Sequence, residues 1–301
     1  MPSDLPPTIA PVAAARWAAQ LPATSAWLHE EVARRMERRL QWMTLQPQSW
    51  VHWEPLRGGT QAQALLTARY PAAACYLALA RAEHAQVARK LIAPPWWTPA
   101  RWTGPALHFG LPEQPAQMLW ANMALHMAAD PQALIAAWHR LLEPRGFLMF
   151  SCLGPDTLRE LRALYAAQGW PPASHAFTDM HDWGDMLVHA GFSEPVMDME
   201  RITLTFPTPE RLLTELRELG RNLHPQRFAG LRGRVWYHQL LSQLGQLANA
   251  DSEGQLQLTF EIVYGHAFKA PPRAKVAPET AVSLDAMRAA LRQHKKNGTS
   301  G

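Results

Sequence analysis

Few residues of this 301-residue chain stand at spacings that could do chemistry. Gly58 and Gly59 follow a short β-prone run, SWVHWEP, and open a helical stretch. Such a pair either makes a simple turn or lets the backbone approach a cofactor closely, with a helix N-terminus aimed at it. Asn122 closes an apolar strand-like run and His126 follows four residues on. A lone His there is either a hydrogen-bonded structural residue or a reacting group. The HDWGD run around Asp182 carries metal-capable side chains, but it falls inside a helical pattern, and no metal site is expected. Cys75 and Cys152 are the two cysteines. Their spacing excludes a disulfide framework and a cysteine zinc site and fits a reducing cytoplasm. There is no Ser/His/Asp or Cys/His constellation.

The elements that must position these residues follow from periodicity. Ser25 to about Arg39 reads as an amphipathic helix with Leu28, Val32, Met36 and Leu40 on one stripe, Glu30 and Glu31 on other faces, and Ser25 as its cap. A first strand covers SWVHW, a helix runs from about Thr60 to Arg69, and ACYLALA (74–80) is a second strand. The Pro- and Trp-rich stretch 92–117 is expected to be irregular, with Trp96, Trp97 and Trp102 lining a pocket or packing under a loop. QMLWANMAL is a strand, and DPQALIAAWHRLLEPRG a helix with Asp130 as cap and Pro131 at its first position. FLMFSCL is a strand buried on both faces. Two helices follow, the second capped near Thr178 or Asp179 and ending at Gly191. PVMDMERITLTF is a strand pair or one bent strand, and a helical pair occupies 208–248. QLQLTFEIVYGHAFKA closes the pattern as an edge-type strand. This alternation predicts an open, mostly parallel α/β sheet, and an insertion before the last strand would lie over the strand ends where ligands bind.

The stretch MLWANMALHMAADPQ, the segment FSCLGPDTLRELR, then HAFTDMHDWGDMLVHAGFSEPVMDMERITLTF, RLLTELRELGRN and LTFEIVYGHAF resemble class I S-adenosylmethionine-dependent methyltransferases. More narrowly they resemble the malonyl-(acyl-carrier protein) O-methyltransferases of biotin synthesis. The resemblance implies a Rossmann-like, three-layer sheet of seven strands. A helical lid at about 208–248 would cover the carboxyl ends of the strands. It implies S-adenosylmethionine as cofactor and a malonyl thioester on a carrier protein, or another small carboxylate thioester, as substrate. Asn122 would then bind cofactor, and His126 would face the transferred methyl group as the catalytic candidate.

The N-terminal half resembles the family less closely. The family pattern is an acid at the end of the first strand, then Gly-x-Gly-x-Gly, and an acid ending the second strand to hold the ribose. Here the aligned run is Trp53-Glu54-Pro55-Leu56-Arg57-Gly58-Gly59, the second strand ends in Ala78-Leu79-Ala80, and no Asp occurs between Asp4 and Asp130. Glu54 and Glu83 are the carboxylates near enough to compensate, with Gly58 and Gly59 as the remaining loop. An indole of Trp50 or Trp53 filling the space beside Gly58 would exclude the cofactor. A malonyl carboxylate is ionised and nucleophilic at neutral pH, so methyl transfer needs alignment and desolvation rather than a general base. It also needs a cation for the carboxylate, for which Arg159, Arg162, Arg217 and Arg221 are candidates. Two readings therefore stand: a methyltransferase with a diverged cofactor loop, or a catalytically impaired homologue that binds a partner.

Composition sets the outer bounds. With 48% hydrophobic and 18% charged residues the chain can bury a sizeable core and is not a disordered one. No run of 18 apolar residues occurs, and the N-terminus lacks a signal-peptide pattern. The net charge of +4 is concentrated from Lys269 onward, where seven basic residues face two acids. Such a tail reads as solvated rather than nucleic-acid-binding. Three segments are expected: a helical segment at 1–49, a methyltransferase-like domain at 50–269 and a disordered basic tail at 270–301.

Overall fold

The structure, a computed structural model, describes residues 9–21, 25–94, 97–98, 104–228, 230–248 and 254–271. Residues 272–301 of the basic tail, Trp96 and Trp102 lie outside the described residues. The helices are α1 (Pro11–Ala19), α2 (Trp27–Arg39), the single turn α3 (Pro55–Gly58), α4 (Ala62–Arg69), α5 (His84–Ile92), α6 (Pro131–Leu141), α7 (Arg159–Ala167), α8 (Met180–His189), α9 (Pro209–Leu219) and α10 (Arg234–Gly245). The strands are β1 (Ser49–Trp53), β2 (Ala74–Ala78), β3 (Leu107–Phe109), β4 (Ala116–Ala121), β5 (Leu142–Leu153), β6 (Phe192–Phe206) and β7 (Leu256–Lys269). They form one seven-stranded sheet in the order β3-β2-β1-β4-β5-β7-β6, parallel through β5, with β7 antiparallel to both of its neighbours. This is the seven-stranded sheet that the resemblance implies. Strand order reverses between β1 and β4, and the crevice above that reversal is where an open α/β sheet receives ligands.

The expected edge strand is in fact internal. β7 lies between β5 and β6, and its run from Leu258 to Tyr264 is buried on both faces, whereas the alternating β6 takes the edge. β6 is one bent strand, with a register shift between Ser193 and Val196. The irregular stretch yields the three-residue strand β3. Helix α6 stops at Leu141, and Pro144, Arg145 and Gly146 belong to β5. Asp130 caps α6 through the Ala133 N–H at 2.8 Å, Asp179 caps α8 through His181, and Thr208 caps α9 through Arg211. Ser25 caps nothing. The N-cap of α2 is Ala26, one residue later, and the Ser25 hydroxyl is buried without a partner.

Leu28, Val32 and Met36 of α2, with Leu40 just after it, pack on one sheet face in a core with Trp50, Trp120 and Phe260. Each such side chain contributes about 1.5–3 kcal/mol on burial. The other face holds Val51, Leu119, Trp138, Leu148, Trp183 and Val263, so helices cover both sides in three layers. No helix among the described residues is long and apolar enough to cross a membrane.

Candidate functional site

Glu54 is the first residue past β1 and adopts a left-handed conformation (φ 47°, ψ 53°). Its N–H donates to the Ala78 carbonyl at 2.8 Å, and its carboxylate accepts from the Ala80 N–H. The side chain therefore crosses from the end of β1 to the end of β2. Burial pushes its pKa up, while the Ala80 hydrogen bond and the nearby Arg57 charge pull it back. Arg57 lies on the short turn α3. One of its terminal nitrogens donates to the carbonyls of Trp17, at 2.6 Å, and Gln20, and the guanidinium sits 4.2 Å from the centre of the Trp17 ring. Its other terminal nitrogen, Nη1, is buried without a partner.

The two glycines serve close packing within the chain. A Cβ on Gly58 would stand 2.6 Å from the Asn122 carbonyl oxygen. Gly59 has φ 118°, and a Cβ there would meet the Glu30 carboxylate at 2.9 Å. Neither Trp50 nor Trp53 fills the space beside Gly58: Trp50 is in the core and Trp53 packs edge-on to Trp138. Glu30, though on a polar face of the α2 stripe, is buried. Its carboxylate accepts from the N–H groups of Thr60, at 2.8 Å, and Gln61, at 3.1 Å, and so caps α4.

Asn122 is a buried staple. Its amide donates to the carbonyls of His29, at 2.8 Å, and Gly58, and its oxygen accepts from the Ser151 hydroxyl at 2.6 Å. It joins α2, the glycine loop, β4 and β5. Glu83 is exposed and paired with Arg81 at 2.8 Å, which holds its pKa down.

His126 sits on a one-turn 3-10 helix after β4, buried, with Nδ1 unpartnered. Burial, and then the neighbouring His175 and His29, hold its pKa well below the ordinary value, so the ring is neutral at pH 7. His175, absent from the sequence-based candidates, donates from Nε2 to the His126 carbonyl at 3.0 Å, and its Nδ1 faces the Leu223 N–H at 3.5 Å. Burial lowers its pKa to about 4. Phe177 packs on both rings, at 6.0 and 4.8 Å.

These groups border a mainly apolar inner pocket of about 120 Å³ at the carboxyl ends of β4 and β5, roofed by Leu216 and Leu219 of α9. A larger outer cleft of about 410 Å³ adjoins it, and Ala173, Arg221 and Asn222 line both. Of the four candidate arginines Arg221 reaches this place. Arg159 pairs with Glu160, and Arg162 donates to the Pro155 carbonyl. No group of three or more His, Cys, Asp or Glu among the described residues is placed to hold a metal ion.

No family model matches the chain. Solved structures share the fold: the YcgJ protein of Bacillus subtilis (TM-score 0.51, 10% identity, 80% of this chain and 99% of that one) and BH2331 of Bacillus halodurans (0.50, 14%, 80% and 100%). Sequence relatives are closer. The malonyl-(acyl-carrier protein) O-methyltransferase of Gallionella capsiferriformans is 38% identical over 272 residues, 83% of this chain and 86% of the relative. That of a Methylovorus species is 35% identical over 259 residues, 84% and 85%. With the sheet order, the roofed site at the strand ends and this identity over most of both lengths, the chain belongs to the malonyl-(acyl-carrier protein) O-methyltransferase family.

Proposed function

We propose that this chain is a cytoplasmic enzyme that methylates the free carboxylate of a malonyl group held as a thioester on an acyl-carrier protein. The observation that carries this reading is the inner pocket, apolar and roofed, with the Arg221 guanidinium at its mouth. The nucleophile is the substrate's own carboxylate, already ionised near neutral pH. Arg221 would pair with it and fix its direction. The pocket wall of Leu153, Leu158, Leu161 and Phe260 would strip its water, which an ionic nucleophile must shed before it attacks. His126, neutral and with one ring nitrogen unpartnered, suits a hydrogen bond that positions the acyl group and does not suit a counter-ion.

S-adenosylmethionine is the methyl donor of the family. Two features at the carboxyl ends of β1 and β2 fit its polar ends. Arg57 Nη1, an orphaned buried donor, would donate to the carboxylate of the methionine end. Glu54 carries a carboxylate that reaches the end of β2, where the family has its ribose acid, and it would hold the ribose hydroxyls. The donor supplies an electrophilic methyl group when bound. Gly58, Gly59 and Asn122 would shape the loop beneath it through their packing, and Glu83 would stay in solvent.

The test is a methyl-transfer assay with malonyl-carrier and S-adenosylmethionine, with the methyl ester read by mass spectrometry. Wild type should form ester and Arg221→Ala should lose most of kcat/KM. A chain that binds the carrier but forms no ester at any donor concentration would be an impaired homologue, and this proposal would be wrong.

A further inference from the structure

Of the described arginines eight pair with a carboxylate and twelve do not, and a third of the unpaired ones gather around one cavity. Arg34, Arg35, Arg39, Arg69, Arg81, Arg159, Arg201 and Arg211 each pair with a carboxylate. Arg16, Arg221, Arg227 and Arg232 form no ion pair among the described residues, and all four line the outer cleft. None of the cleft's described lining residues is acidic. Four like charges around one cavity repel one another, and the Arg217 charge adds to burial in lowering the Arg221 pKa. Such an arrangement is relieved by a bound anion.

The guanidiniums are also held for recognition. Arg232 lies against two rings, 4.3 Å from the centre of Phe228 and 3.9 Å from that of Trp236, and Arg221 lies 5.3 Å from that of Trp17. Stacking fixes the plane of a guanidinium and leaves its edge for hydrogen bonds; Arg221 Nη1 donates to the Arg217 and Gly220 carbonyls, the latter at 2.8 Å, and its other nitrogens remain for an oxyanion. Arg227 donates one N–H to the His224 carbonyl at 3.1 Å, which anchors its head while other donors stay available. Through Arg221 and Asn222 the cleft runs on into the small apolar pocket. A ligand filling both has an anionic group outside and a short acyl group inside.

We propose that the outer cleft is a phosphate site that seats the phosphodiester of a pantetheine arm, with Arg227 and Arg232 as its principal ligands and Arg16 closing it from α1. This inference rests on the reading of the inner pocket as the acyl site. The same phosphopantetheine chemistry comes from a carrier protein or from coenzyme A. In the first case the phosphate is a diester to a serine, in the second it continues into a nucleotide.

The experiment has a binding arm and a turnover arm. In the first, phosphopantetheine and pantetheine are titrated while indole fluorescence reports on Trp17 and Trp236. Phosphopantetheine should bind at least about tenfold more tightly, the scale of one charge-assisted contact. The difference should vanish in Arg227→Ala/Arg232→Ala and shrink in Arg227→Lys/Arg232→Lys, which keep charge but lose the fork. In the second arm, kcat/KM is compared for malonyl-carrier, malonyl-coenzyme A and malonyl-N-acetylcysteamine. The double Ala variant should lower the ratio of phosphorylated to unphosphorylated substrate chiefly through KM. Malonyl-carrier exceeding malonyl-coenzyme A assigns the diester source, and the reverse assigns the nucleotide source. Equal affinity for phosphopantetheine and pantetheine in wild type, or a preference untouched by the double variant, overturns the phosphate site. Failure of methyl transfer with every substrate overturns the methyltransferase reading, and the binding arm still decides the cleft.

Discussion

Glu54→Ala should weaken binding of S-adenosylmethionine by one to two orders of magnitude. On the proposed function this carboxylate, which reaches the Ala80 N–H at the end of β2, stands in for the family's ribose acid. Removing a charge-assisted hydrogen bond costs about 1.5–3 kcal/mol, and each ~1.4 kcal/mol is a factor of ten in Kd. The expected loss is therefore roughly 10- to 100-fold. Glu54→Gln keeps the shape without the charge and should fall between. The pH response separates a ligand contact from a packing effect. Burial raises the Glu54 pKa, so acidification neutralises it sooner than an ordinary Glu. Wild-type affinity should fall as pH descends toward that raised value, and Glu54→Gln affinity should not follow it. Calorimetric titration from pH 7.5 to 5, with circular dichroism confirming the fold, reads all three proteins. Wild type and Glu54→Ala agreeing within about threefold would refute the assignment.

Asn122→Ala strips partners from the Ser151 hydroxyl and two buried carbonyls, and a loss of roughly 2–4 kcal/mol should appear in a urea melt. An unchanged midpoint would show that the staple is dispensable. Gly58→Ala drives a Cβ to 2.6 Å from the Asn122 carbonyl; it should destabilise by about 1–3 kcal/mol, and a neutral effect would mean the loop has room to move. His52 and His175 are held near pKa 4, chiefly by burial, so their folded forms stay neutral while the unfolded chain takes up protons near 6.5. Their contribution is thus present above pH 6.5 and lost as pH falls toward 4, roughly 3 kcal/mol apiece at full loss. Stability of His52→Gln measured over that window should show a shallower slope, and an identical slope would contradict the assignment.

The sheet was readable because its elements carry strong local signals. Asp130-Pro131 caps a helix, FLMFSCL has no polar face, and Leu28, Val32, Met36 and Leu40 repeat at one helical spacing. The place of β7 was not readable. Its mixture of Thr259, Glu261 and apolar residues alternates like an edge strand, but Glu261 is turned inward to the N–H of Asp156 and Thr259 to Glu160. Local pattern cannot see that a distant loop and the start of α7 satisfy those groups. The site divides in the same way. Glu54 and Asn122 drew notice because each follows directly on a strand, Gly58 and Gly59 because they form a pair before a helix. Glu30 and His175 were not, since a capping carboxylate on another helix and a histidine bonded across 49 residues leave no spacing to read. The shared role of Arg16, Arg221, Arg227 and Arg232 exists only after α1 is laid beside the segment following α9.

Trp17 touches two cations. Arg57 comes from the loop after β1 and Arg221 from the mouth of the inner pocket. The two guanidiniums also repel, which contributes to the lowered pKa of Arg57. An anion bound at either one lowers the positive potential at the other, so by charge alone a second anion would bind there less tightly. The penalty is reciprocal: each anion would weaken the other by the same factor. Two groups that seek anions thus share one field across a single ring.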